Sequence, residues 1–402
     1  MAKRKWVFGL FSILIGFGIA FLLLEIAFRF LEYREQSQTS FEGGYWMDDS
    51  VWGWKPTPGD YHHRTPEFDA RGKVNRFFMN DRVEDSAADA DKVRVLVLGD
   101  SHTFATGIST PDTWAKQVER LGNARQGRPV FRTYNAGVTG YSMHQYLTRL
   151  RDDGSRLKPK YVLVGVSFAT DFYDLLPPGR GGWIYGGERP RDYFDFDEGG
   201  RLVRRHWAPS PVQTEGAGAE PPRRDLGQRL RGLLENSATF RYLRRSRLFL
   251  IIGSKIRVGG QSLWPNMEVA MEKDISPAHE YQHRLFRALL AELKAQSEAI
   301  GARLIVVGIP YLPQVYEDLR QQTFSDAKYD PFALNRRVAE YCRALGVGYV
   351  DTQTPLRKKH LEVGHWLHFP KDAHPTVEGH AVIADAVVGS GLLVADAPAV
   401  KN

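Results

Sequence analysis

Ser101, Asp372 and His374 are the residue types that acyl transfer needs. One is a hydroxyl nucleophile, one a carboxylate to orient a base, and one the base itself. His374 would take the serine proton and later return it to the leaving alcohol. Asp372 stands two residues before it, placed to accept from the far ring nitrogen and to stabilise the imidazolium. That help matters because the positive end of the helix expected after Pro375 disfavours a charged ring. Backbone N–H groups of Ser101 and of Gly140, where no side chain blocks close approach, would bind the oxyanion. Read alone, Gly99-Asp100-Ser101 is equally ordinary turn chemistry after a strand. The chemical reading depends on whether the rest of the chain brings these residues together.

The elements that would do so are a series of strands. Val93–Leu98 is a short valine- and leucine-rich run with the composition of a buried parallel strand. Ser101 is expected in the loop after it, where open α/β sheets place their ligands. A helix over Pro111–Leu121 comes next, with Thr110 as N-cap, Pro111 at its first position and Asp112 behind it. Further strands are predicted at Val130–Tyr134, Tyr161–Val166, Arg303–Ile309 and Gly348–Asp351. Helices are predicted at about 142–151, 278–300, 331–345 and 377–389. Strand–helix alternation of this kind implies a parallel sheet covered on both faces, a three-layer α/β/α sandwich. Four segments then converge on the carboxyl edge of the sheet: Gly99–Ser101, Asn135–Ser142, Ala169–Asp171 and Lys371–Pro375.

Outside that framework, Trp6–Leu24 is an unbroken apolar stretch behind Lys3-Arg4-Lys5. It is long enough to cross a bilayer core of ~30 Å as a helix. The basic cluster predicts a cytoplasmic amino terminus and an exported remainder. A cleaved signal peptide is the competing reading, but its apolar core is shorter and ends at a small-residue site. The expected organisation is a tail over 1–5, an uncleaved anchor over 6–27, an extended aromatic-rich segment over 28–90 packing on the main domain, and that domain over 91–395. An insert is expected at about 177–275. Within it, Leu226–Leu250 reads as an arginine-rich helix, including Arg241, Arg244, Arg245 and Arg247. It would rest on anionic lipid, grip an anionic polymer, or simply present a solvated face.

The net charge of +7 falls to +4 once residues 1–31 are set aside, and no basic stretch interleaved with aromatics stands out. Nucleic acid is therefore not an expected partner. Cys342 is the only cysteine, so no intrachain disulfide forms, which in an exported domain suggests a bacterial envelope protein. His360, His365, His368, His374 and His380 have no metal-site spacing, and neither a metal nor another cofactor is expected.

The ordered blocks resemble the SGNH (GDSL-type) hydrolase superfamily over roughly residues 91–175 and 300–390. Gly99-Asp100-Ser101 matches the nucleophile block, Asn135–Gly140 the second, and Asp372 and His374 with Gly379-His380 the last. The resemblance implies an SGNH/flavodoxin-like fold and a seryl acyl-enzyme. It also implies Gly140 as the oxyanion glycine, and Thr170 where the family has its oxyanion asparagine. The anchor, the insert and the two-residue Asp372–His374 spacing are similar to a membrane-anchored, alginate O-acetyltransferase-like branch. The resemblance thus implies an inner-membrane, single-pass protein with an extracytoplasmic domain. Its expected activity is on ester groups, O-acetyl foremost, of envelope or exopolysaccharide glycans. An O-acyltransferase using the same site and a non-catalytic glycan-binding or assembly factor are the rivals. Protein partners are not specified.

Overall fold

The computed structural model describes residues 2–44, 46–81, 89, 91–168, 170–177, 189–209, 236–244, 251–253, 255, 257–258, 261–262 and 265–395. Five parallel strands form its centre: β1 Val93–Gly99, β2 Phe131–Asn135, β3 Tyr161–Ser167, β4 Arg303–Ile309 and β5 Gly348–Asp351. They lie in the order β5-β4-β3-β1-β2. This is the flavodoxin-like order of doubly wound sheets, with its switch point between β1 and β3. All pairings are parallel; Val97 is in register with Asn135 and Gly99 with Gly165. The side chains of β1, β3 and β4 are almost wholly buried on both faces, as the continuous apolar runs require.

Helices cover both faces. α1 Ala2–Ser37 precedes the domain, followed by α2 Ser101–Phe104, α3 Trp114–Gln126, α4 Met143–Leu157, α5 Ala238–Arg244, α6 Glu280–Ala299, α7 Ala333–Leu345, α8 Gln353–Val363 and α9 Val377–Gly389. One core gathers Leu96, Leu98, Val164 and Val306 with α4, α6 and α7. The other gathers Val95, Val97, Leu163 and Val307 with α3, α8 and α9. The alternation of strand residues between the two cores reflects the period of two along each strand.

Three local expectations are corrected. The helix expected over Pro111–Leu121 is split. Thr110–Asp112 forms a single 3-10 turn, and α3 starts at Trp114 with Thr113 as its cap, its hydroxyl accepting the Lys116 amide. Thr113 is extended at φ −61°, ψ 146°, which breaks the run. Second, Ser101 does not sit in an open loop but opens the one-turn α2, with Asp100 accepting the His102 amide as N-cap. Third, residues 28–37, expected to be extended, continue the amino-terminal helix, which runs through Ser37. Its stretch Phe11–Ser37 is long and apolar enough to cross a membrane.

The segment after α1 holds a three-stranded antiparallel sheet, Ser40–Glu42, Gly59–Arg64 and Asp69–Val74, and the hairpin Trp46–Asp49/Gly53–Pro56. Trp52 and Trp54 from this segment enter the larger core. Part of the insert is a second hairpin, Arg191–Phe196 with Leu202–Trp207. Most of the expected arginine-rich helix, including Arg245 and Arg247, lies outside the described residues. Arg241, within α5, pairs with Glu32 of α1 through two hydrogen bonds of 3.0 and 2.7 Å.

Candidate active site

The nucleophile turn is built by close approach. A Cβ at Gly99 would come within 2.0 Å of Thr103 Oγ1, and one at Gly137 within 2.4 Å of the Phe104 amide nitrogen. Only glycine lets α2 settle against the ends of β1 and β2. Asn135 then ties the two loops together, donating to the Thr103 carbonyl at 2.8 Å and accepting from the Gly137 amide at 3.1 Å. Gly140, in the same loop, has φ +79°, in the left-handed region that favours glycine.

The base comes from the far end of the chain. Between α8 and α9 the backbone folds back on itself: His368 bridges Pro375, and the Phe369 amide donates to the His374 carbonyl. The tip is Pro370–Ala373, with Ala373 at φ +69°. Thr376 caps α9 by accepting the Gly379 amide. This turn places His374 Nε2 at 2.7 Å from Ser101 Oγ and His374 Nδ1 at 2.5 Å from Asp372 Oδ1. Serine hydroxyl, imidazole and carboxylate thus form one hydrogen-bonded series, though Ser101 and His374 lie 273 positions apart.

Electrostatics suit the series. Burial works against a charged His374 ring, but the hydrogen bond and charge of Asp372, with the charge of Asp100, outweigh it and raise the ring's pKa above its ordinary value. Burial likewise opposes ionisation of Asp372, yet His374 draws its carboxyl below the usual range. Asp100 is buried; the charge and hydrogen bonds of His102 keep it low against that burial.

Thr170, expected among the oxyanion donors, donates its hydroxyl to Asp100 Oδ2 at 2.9 Å, behind the nucleophile. Asp171, beside it, accepts from the Ser167 amide and from Tyr146. Burial and the nearby Asp100 push its carboxyl up well above the ordinary value.

Two neighbours were not read from the sequence. The His102 ring lies 4.8 Å from that of His374, with Nδ1 3.3 Å from Asp100. Its position directly after Ser101 was the available signal. Glu67 contacts the tip that carries Asp372, and nothing in its local sequence marks it. The other histidines have separate partners. His368 Nδ1 pairs with the Tyr316 hydroxyl, and His365 pairs with Glu378. His380 accepts the Trp114 amide as a neutral ring, its pKa held at about 3 by burial.

Fold and site together define the class of α/β proteins that carry a serine–histidine–aspartate series at the carboxyl edge of a doubly wound sheet. No family model matches the chain, and no curated protein matches it. Among solved structures it is similar to TesA, at 14% identity and a TM-score of 0.36, covering 74% of this chain and 97% of that one. It is also similar to an acetylxylan esterase from Geobacillus stearothermophilus, at 13% identity and a TM-score of 0.37, covering 74% of this chain and 93% of that one. A protein of the G-D-S-L family from Desulfitobacterium hafniense is similar at 11% identity and a TM-score of 0.34, covering 74% and 99% of the two chains.

Proposed function

We propose that this chain is a membrane-anchored serine esterase of the SGNH type, and the observation that carries the proposal is the series Ser101–His374–Asp372. Ser101 Oγ attacks the ester carbonyl while His374 Nε2 takes its proton. The N–H groups of Ser101 and Gly140 hold the oxyanion of the tetrahedral intermediate. On its collapse the carbonyl–alkoxy bond breaks, and the proton on His374 passes to the leaving alcohol, leaving the acyl group on Ser101. Water, deprotonated by the same imidazole, then releases the acid and restores the serine. No step calls for a cofactor.

The acyl group it removes is an acetyl. The alcohol side is an O-acetylated glycan of the bacterial envelope. The domain stands on the extracytoplasmic side of the inner membrane, with the amino terminus in the cytoplasm.

The test is fluorophosphonate labelling of the full chain in detergent. Ser101 should be labelled, and Ser101→Ala and His374→Ala should each abolish labelling and acetate release from acetylated polysaccharide without unfolding the protein. An unlabelled Ser101 in a folded protein overturns the proposal and leaves a binding scaffold. Labelling without acetate release, but with acetyl appearing on an added acceptor glycan, assigns the serine to transfer.

A further inference from the structure

The tip that carries Asp372 is held from outside the α/β domain. The amides of Lys371 and Asp372 both donate to the carboxylate of Glu67: Lys371 N at 3.0 and 3.2 Å from its two oxygens, Asp372 N at 2.9 Å from Oε2. Glu67 belongs to the turn between Gly59–Arg64 and Asp69–Val74, in the small antiparallel sheet that follows α1. The next residue, Phe68, packs its ring on Phe369 at the base of the same tip, with centroids 5.2 Å apart. Gly107 closes the gap between them, since a Cβ there would meet both rings within about 3 Å. Lys371 reaches in the other direction to Glu35 near the end of α1.

Among the described residues, the tip also borders a cleft of about 1000 Å³, which runs between the end of α1, the turn at Glu67, and Lys371 and Asp372. Glu67 with Phe68 thus forms a two-residue clamp on the tip, beside the Lys371–Glu35 pair. The demand on that clamp is strict, because Asp372 must keep the imidazole in one tautomer and orientation. A shift of about 1 Å in such a group can cost on the order of 100-fold in rate.

We infer that Glu67 is a positioning residue for catalysis, acting on His374 through the backbone of the Lys371–Asp372 tip. The inference rests on the esterase reading of Ser101 and His374. The carboxylate accepts two neighbouring N–H groups at once. A glutamine in its place accepts one and turns an amide donor toward the other, so the tip loses half its hold while shape and volume are kept.

The experiment compares the full chain in detergent with Glu67→Gln, Glu67→Ala and Glu67→Asp. It measures kcat and KM on p-nitrophenyl acetate, thermal stability, and the far-downfield proton signal of the His374 Nδ1–H in 15N-histidine-labelled protein. His374→Ala assigns that signal. Glu67→Gln should lower kcat about 10–100-fold with KM unchanged, and should broaden or move the His374 proton signal while the melting temperature changes little. Glu67→Ala should do the same more strongly, and Glu67→Asp, which keeps the charge, should recover part of kcat. A Glu67→Ala protein with wild-type kcat and an unmoved signal overturns the inference, and so does a loss of stability alone. If the wild-type chain turns over no ester and yet the signal responds to Glu67→Gln, the clamp stands and the esterase reading falls.

Discussion

His374 is pulled two ways, and the balance sets how the site responds to pH. Burial favours the neutral ring, while Asp372 and Asp100 favour the charged one and prevail. A general base must be neutral to take the serine proton, so kcat/KM should rise with pH through a value above the ~6.5 of an ordinary histidine. Asp372→Asn removes the main partner. Its acid limb should move to lower pH, and its plateau should fall by as much as ~10⁴. A pH–rate profile of both proteins checks this, and an acid limb that stays in place would deny Asp372 its role. Stability is linked with opposite signs at the two groups. The raised His374 contributes stability that is complete below its unfolded value and lost as pH rises through the folded one. The depressed Asp372 contributes above its unfolded value of about 3.9 and loses that contribution as pH falls through the folded one. The pair therefore holds the tip best between these limits.

At the scale of elements, α2 is a single turn fixed by glycine contacts below and by Asp100 at its start. Thr170 serves that turn, since its hydroxyl satisfies a buried carboxylate that also caps α2. Thr170→Val should lower stability by about 1–3 kcal/mol, because Asp100 loses a donor. It should leave most of the turnover, where removal of an oxyanion donor would cost about 100- to 1,000-fold. Thermal melts and kcat together decide which role the residue has. β1, β3 and β4 were legible because runs rich in valine, leucine and isoleucine bounded by turn residues have few other uses. β4 and β5 run from Arg303 to Ile309 and from Gly348 to Asp351, as their patterns predict. The convergence of Ser101, Asp372 and His374 was legible from the rule that loops at one edge of a parallel sheet meet. Other elements were not. One turn of helix is too short to show a period, and the Arg191–Phe196 strand mixes charges into both faces. The Gly199-Gly200 turn was its only clear sign. Thr170's partner and Glu67's clamp are contacts between distant segments, which no local pattern encodes.

At the scale of the molecule, α1 is both an apolar helix and a part of the domain's architecture. Glu25 accepts from Ser237 Oγ and from the Ala238 and Thr239 amides at the start of α5, Glu32 pairs with Arg241, and Glu35 with Lys371. The Phe28 and Tyr242 rings stack at 4.4 Å. The proposed anchor, oriented by Lys3-Arg4-Lys5, should make the chain resist extraction by high salt. A reporter active only outside the cytoplasm should be active when fused after Asn402; an inactive fusion would reverse the proposed orientation.

The clamp on the tip also orders the protein's biogenesis. Glu67 and Lys371 are 304 positions apart, and Glu35 and Lys371 are 336 apart. Closing loops of that length comes late, after the local contacts of the sheet and helices have formed. While the chain is being made, Ser101 is present but its proposed base has not yet been synthesised. By the clamp inferred above, His374 gains its fixed orientation once the amino-terminal sheet closes on its loop. On the proposed reading, reactivity arrives only with that late long-range contact, once the stretch from Glu67 to His374 lies on one side of the membrane.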